Sequence, residues 1–363
     1  MTKRRGAFTA VIAAAAIALT GFATTSASAA AAGFVGVILP DAASSPRWEG
    51  ADRPFLKAAF AKAGVKVDIQ NANGDKTKFA TIAEQMLTKG AKVLILVNLD
   101  SPTSAAVQAK AKKAGVPTID YDRLTLGGSE SYYVSFDNVA VGRLQGQGIV
   151  NCLKAKGVAK PRIVYLNGSP TDNNATLFKQ GYDSVLRPLI KAGTYTLVDD
   201  KSVPNWDNAQ GGVIFEQQLT KAGLKLDAVV SANEGLGLAA VAILKKNKLA
   251  GKVCVSGQDA SPSGLAAILT GDLSNTVYKA IKAEANGAAA LAVSLIKKTK
   301  AVTNGMTDAK ATAGAKSIPV PSVLLVPVGI TKANVSVVIK DGFQTRASIC
   351  AIATEKVCKK NGI

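Results

Sequence analysis

The feature that most constrains this chain is a rhythm. From Gly33 onward, short runs rich in Val, Ile and Leu alternate with longer segments rich in Ala, Lys and Leu. Such alternation is what βα units on a parallel sheet require, because each strand needs a helix to return the chain to the same edge and to cover a face. The strand-like runs fall at 33–40, 66–71, 92–99, 117–121, 132–136, 162–167, 195–199, 227–232, 252–257, 274–278 and 322–328. Between them the spacing predicts helices. Over 51–63, for example, Phe55, Ala59, Phe60 and Ala63 recur three and four residues apart and give one apolar face. About 330 residues of this pattern exceed one comfortable doubly wound domain, so two α/β lobes are expected. A break near 137–141 suits the segment Ser135-Phe136-Asp137-Asn138, which closes a strand and opens a helix containing Gly142, Gly146 and Gly148. The stretch 300–321, rich in Lys, Thr, Ala and Gly, reads as a long surface loop.

The first 29 residues are a separate object. Lys3-Arg4-Arg5 precedes an apolar stretch from Ala7 to Phe22 and then Thr24-Thr25-Ser26-Ala27-Ser28-Ala29. This is the pattern of a secretory signal with a small-residue cleavage site. The expected setting is therefore exported, periplasmic or at the cell envelope, and no cysteine at the cleavage region indicates a lipid anchor. The four cysteines, Cys152, Cys254, Cys350 and Cys358, fit an oxidising compartment and form no Cys-x-x-Cys pair. Three pairings are open. Proximity favours Cys350 with Cys358, which leaves Cys152 for Cys254.

The chain contains no histidine, which excludes imidazole bases, Ser-His-Asp and Cys-His nucleophile systems and His-ligated metals. No metal or cofactor is expected. The formal charge of +19 raises the question of nucleic acid. Position answers it: lysines recur just before glycines, at Lys62-Ala63-Gly64, Lys89-Gly90, Lys113-Ala114-Gly115, Lys156-Gly157, Lys191-Ala192-Gly193 and Lys221-Ala222-Gly223. These are helix ends, where a cation meets the negative pole and glycine takes the left-handed cap. No basic-aromatic cluster speaks for nucleic acid.

Ligands of open parallel sheets settle beyond the C-terminal ends of strands, and there this sequence is polar. The segments are Asp41-Ala42-Ala43-Ser44-Ser45-Pro46-Arg47-Trp48, Asp120-Tyr121-Asp122-Arg123 and Asn167-Gly168-Ser169-Pro170-Thr171-Asp172-Asn173-Asn174. They continue with Pro204-Asn205-Trp206-Asp207, Asn233-Glu234, Gln258-Asp259 and Tyr278-Lys279. Asp, Asn and Arg pair with neighbouring hydroxyls of a sugar rim, and an indole lies against its C–H face. Taken singly, Asp172-Asn173-Asn174 reads as a helix N-terminus and Asp122-Arg123 as a surface pair, and Asp or Asn after a strand is commonly a cap or turn former. Their joint placement at corresponding strand ends points to a neutral polyol, since Asp122, Asp172 and Asp259 would repel an anion.

In order, RW, YDR, SFDN, GSPTDNN, NW, SANE, SGQD and TVYK, with VIKDGF at Val338–Phe343, resemble the periplasmic D-xylose-binding proteins of sugar ABC transporters, over about residues 35–343. The resemblance implies a type I periplasmic-binding fold, with two Rossmann-like lobes on parallel sheets joined by a three-segment hinge. The implied lobes are 33–137 plus 280–321 and 138–279 plus 322–349, followed by a tail at 350–363. Matched motif by motif, the implied ligand-binding residues are Arg47, Trp48, Asp122, Arg123, Asp172, Asn174, Trp206, Asn233, Asp259 and Lys279. The implied function is capture of a monosaccharide, D-xylose or a related aldopyranose, by hinge closure and its delivery to ABC permease subunits, by a monomer. Two departures bear on selectivity: Glu234 stands where the family pattern has Asp, and the loop 41–46 differs from the family's charged version.

Three rival readings are distinguishable. A glycosidase would use two of Asp122, Asp172 and Asp259 as acid and base, but Arg123, Lys279 and the amides are expected to hold these carboxylates ionised. A sugar-responsive repressor would need a helix-turn-helix ahead of the first strand. A sugar sensor for chemotaxis is compatible with the same site.

Overall fold

The computed structural model describes residues 33–312 and 314–363; the expected leader falls outside them. The chain opens with β1 (Val35–Leu39), a π-helical turn at Trp48–Asp52 and α1 (Arg53–Lys62), followed by β2 (Val67–Asn71) and α2 (Lys76–Thr88). Next come β3 (Val93–Leu96), α3 (Ser101–Lys113), β4 (Thr118–Tyr121) and β5 (Tyr132–Phe136). It then crosses into a second unit of α4 (Asn138–Ala155), β6 (Arg162–Asn167), α5 (Asn173–Lys191), β7 (Thr196–Ser202), α6 (Asn208–Lys221) and β8 (Ala228–Ser231). That unit continues with α7 (Glu234–Lys246), β9 (Cys254–Val255), α8 (Pro262–Thr270) and β10 (Thr276–Tyr278). After Lys279 it returns through α9 (Ile281–Lys297), β11 (Gly305–Asp308) and β12 (Pro319–Leu325). It crosses a last time to β13 (Val328–Ile330), α10 (Ser336–Lys340), α11 (Arg346–Ala353) and α12 (Glu355–Lys360).

Two main sheets result. The first has the order β11-β12-β5-β4-β3-β1-β2 and is parallel except for the β11/β12 pair; the second, β7-β6-β8-β9, is parallel throughout. β10 and β13 form a short antiparallel pair. A strand covered on both faces must be apolar on both. In β1, Val35, Val37 and Leu39 join one core with Leu56 and Phe60, and Ile38 joins another with Phe79 and Met86.

Several expectations need correction. The stretch 300–321 is not all loop: β11 pairs there with β12, whose edge the hairpin covers. Residues 322–325 do not open the second lobe, because Ser322–Leu325 pairs in parallel with Tyr133–Phe136, so the third crossing follows Leu325. The buried face of the first helix is Leu56, Ala59 and Phe60; Phe55 is half-buried where two cores meet, and Ala63 is exposed at the helix C-cap.

Other local readings hold. Gly64, Gly90, Gly115, Gly157, Gly193 and Gly223 all have φ between 63° and 87°, so the neighbouring lysines sit at helix C-termini. The disulfides are Cys152–Cys254 and Cys350–Cys358. The second closes a tail whose Ile349, Cys350, Ala353 and Cys358 are buried in the same core as Leu265 and Leu269 of α8.

A polar cavity between the two sheets

The loops after β1, β4, β6, β7, β8, β9 and β10 converge on one small cavity of about 30 Å³, room for a water or two. Its lining includes all ten residues expected from the sequence: Arg47, Trp48, Asp122, Arg123, Asp172, Asn174, Trp206, Asn233, Asp259 and Lys279. Ser44, Ser45, Phe178 and Gln258 complete it. Gln258 was legible as a polar strand end. Phe178 lies inside α5 and could have been found only by counting one helical turn on from Asn174.

Local backbone explains how each side chain arrives. Asp122 and Asp259 occupy left-handed backbone, at φ 62° and 113°, as do Asn205 and Trp206, at 55° and 56°. Such conformations cost energy in residues with a side chain and persist where the surroundings hold them. The indole of Trp206 lies against Gly168, where an added Cβ would fall 2.0 Å from its ring. Its Nε1–H donates to Asp172 at 3.1 Å, and Phe178 packs edge-on at 6.4 Å. α5, which carries Asn174 and Phe178, packs directly on α4. A Cβ on Gly142 would come within 1.9 Å of the Phe178 carbonyl oxygen, which is the reason for glycine there.

The cap and site readings coexist. Asp172 caps α5 through the Asn174 N–H (2.9 Å) while its other oxygen takes Trp206 and the Arg123 guanidinium (3.1 Å). Asn233 caps α7 through the Leu236 N–H, and its amide donates to the Ser44 carbonyl. One side chain can serve both ends because a capping oxygen leaves the rest of the group free.

The charged lining is balanced: Arg47, Arg123 and Lys279 against Asp122, Asp172 and Asp259. Asp122 accepts from Arg47 Nη1 at 2.7 Å and from Asn174 Nδ2 at 3.1 Å, with Lys279 Nζ at 3.4 Å. Burial pushes its carboxyl up, but Arg47, Lys279 and Arg123 outweigh this and hold it well below the usual range. Asp172 goes the other way: burial raises it and Arg123 only partly compensates. Both carboxyls are nonetheless tied up in ion pairs. Glu234, the departure from the family pattern, faces away from the cavity; it accepts from the Ser261 N–H (2.8 Å) and the Thr276 hydroxyl (2.6 Å).

The walls come from both sheets and touch. Ser45 Oγ donates to Asp259 (2.9 Å), Thr171 Oγ1 to the Leu99 carbonyl (3.4 Å) and Asn208 Nδ2 to the Ala43 carbonyl (3.2 Å). Lys279, at the crossing between β10 and α9, reaches Asp122 of one wall and Asp259 of the other, at 3.4 and 3.6 Å. The motif at 338–343 supports this crossing: Phe343 stacks on Tyr278 at 5.2 Å, and the Tyr278 hydroxyl donates to Asp341.

A cavity at facing strand ends of two parallel sheets, with three chain crossings beside it, defines the type I periplasmic-binding architecture. A family profile described as a periplasmic binding protein domain matches residues 35–300. The chain is 38% identical over 304 residues to the D-xylose-binding periplasmic protein of Haemophilus influenzae and 35% identical over 309 residues to that of Escherichia coli. Each alignment covers 84% of this chain and 88% of the relative. Among solved structures, an ABC transporter solute-binding protein from Clostridium phytofermentans with bound β-D-glucose superposes with a TM-score of 0.77 at 27% identity. It covers 87% of this chain and 99% of its own. This chain belongs to the periplasmic binding protein family. Among the described residues no helix is long and apolar enough to cross a membrane.

Proposed function

We propose that this protein binds a neutral monosaccharide between its lobes, D-xylose before other aldoses, and presents it to the transmembrane subunits of an ABC importer without chemical change. The observation that carries this reading is the lining itself, three cations and three carboxylates interleaved with two indoles and two asparagines. A balanced set of fixed dipoles suits an uncharged ring whose hydroxyls both donate and accept. Arg47, Asp122, Arg123, Asp172, Asn174, Asn233, Asp259 and Lys279 would bond the hydroxyls, and Trp48 and Trp206 would flank the ring. The relatives named for D-xylose support the choice of sugar. The relatives are named as periplasmic, and the leader expected at 1–29 agrees with export.

Hinge closure supplies the mechanism. A sugar held by Asp122 and Arg123 on one lobe gains Asp172, Asn233 and Asp259 only when the second lobe arrives, so ligand shifts the population toward the closed form. Lys279 senses both states, because it stands at a crossing and reaches a carboxylate on each wall. Titration calorimetry with xylose, ribose, arabinose, glucose and galactose tests the proposal. Xylose is expected to bind tightest; glucose binding as well or better would reject the choice of sugar. Turnover of aryl glycosides, lost on Asp122→Asn, would reject binding without catalysis.

A further inference from the structure

Behind the cavity, Arg47 is surrounded by more acid than the ligand would need. Its Nε and Nη2 donate to both oxygens of Asp52 (2.9 and 2.7 Å), Nη2 donates also to Glu284 Oε2 (2.9 Å), and Nη1 donates to Asp122 (2.7 Å). A guanidinium has five N–H donors. Four are used here, and the fifth, on Nη1, has no partner among the described residues, while Arg47 itself lines the cavity. Asp52 and Glu284 do not line the cavity, and both are fully buried.

Glu284 is the unusual member. Asp52 is held additionally by the Tyr121 hydroxyl at 2.7 Å, whereas Glu284 makes its one side-chain bond to Arg47, and its Oε1 is buried without a partner. A buried carboxylate is costly, so a Glu that serves one contact points to a role for that contact. It lies on α9 one turn past the crossing at Lys279, and α9 packs on α1, which follows the loop carrying Arg47.

We infer that Glu284 is a positioning residue for the sugar: it holds the second Nη of Arg47 so that one donor, and only one, is offered to a ligand hydroxyl. The inference rests on the proposed sugar binding. Without the Glu284 acceptor, one of the two Nη2 hydrogens is left unpaired in a dry site, while the other stays on Asp52. The guanidinium then turns toward Asp122, whose oxygens are withdrawn from Asn174 and Lys279. Glutamine in place of Glu284 still accepts the same N–H through its amide oxygen, so charge is dispensable and the acceptor is not.

The test is calorimetry with D-xylose on the wild type, Glu284→Leu, Glu284→Gln, Arg47→Ala and the double variant Arg47→Ala with Glu284→Leu. Leucine fills the volume without an acceptor, and Glu284→Ala serves if leucine does not fold. Glu284→Leu is expected to weaken binding by about tenfold or more, and Glu284→Gln to restore it to within about threefold. In the Arg47→Ala background, Glu284→Leu should weaken binding no further, because the effect passes through Arg47. Wild-type affinity in Glu284→Leu, additive losses in the double variant, or loss of fold in every Glu284 variant overturns the inference. A wild type that binds no sugar overturns the proposed function along with it.

Discussion

Arg123 Nε lies 3.1 Å from Asp172 Oδ2, both nearly fully buried, and the pair joins the end of β4 to the start of α5 across the cleft. The pair thus closes one side of the cavity while each partner also lines it. Arg123→Met and Asp172→Asn should each weaken sugar binding by about 1.5–3 kcal/mol, with a coupling of about 1–2 kcal/mol in the double variant. Calorimetry over the four proteins measures this. Fully additive losses would mean that the two groups act independently.

Trp206 is held in left-handed backbone with its indole on Gly168 and its N–H on Asp172. Replacing it with alanine removes a flank of the ring site and leaves a buried Asp172 oxygen without one donor. The expected loss of sugar affinity is about 2–3 kcal/mol. Unchanged binding would remove Trp206 from the site.

Glu234 is buried and its carboxyl is pushed up to about 7, chiefly by burial, with Asp259 adding to the effect and the Ser261 and Thr276 hydrogen bonds opposing it. A carboxyl whose folded value is raised binds its proton more tightly in the folded chain. Its contribution is therefore fully present below about 4.5 and is lost as pH rises toward about 7. Glu130, likewise raised to about 7 by burial, adds in the same direction. Thermal melts at pH 5 and pH 8 should show Glu234→Gln losing less stability over this interval than the wild type. Because Glu234 faces away from the cavity, sugar affinity should be unchanged within about threefold.

The Cys152–Cys254 bridge closes a loop spanning 102 residues, and the Cys350–Cys358 bridge one of 8. In the chain-entropy view the first stabilises by about 4–5 kcal/mol and the second by about 2–3 kcal/mol. Denaturant titration of the paired Cys→Ser variants should follow that order. Neither bridge touches the cavity, so the long-loop variant, where folded, should bind sugar as the wild type does.

The polar segments after the strands were legible because the strands around them are simple. Short apolar runs bounded by turns leave little choice about where a strand ends, and in parallel sheets strand ends gather on one side. The segments that carry Arg47, Asp122, Asn174 and Asp259 could thus be placed before any distance was known, while the choice of these residues within them came from the family resemblance. The edge hairpin at 305–325 was not legible, since Gly305–Asp308 has no apolar alternation and gains strand character only by pairing with β12. The face of the first helix differs from its spacing for a related reason: Phe55 sits where two cores meet and Ala63 ends the helix in solvent, which local spacing does not encode.

What the sequence determined alone was local: the βα rhythm, the glycine-capped helix ends, the absence of histidine chemistry and a neutral, hydroxyl-seeking set of residue types. Contacts over long separations belong to the tertiary structure. Only there does Arg47 meet Glu284, 237 residues away, or Ser45 meet Asp259. Only packing decides that the carboxyl of Asp122 is lowered while that of Asp172 is raised, because burial and neighbouring charge, rather than residue identity, set the direction.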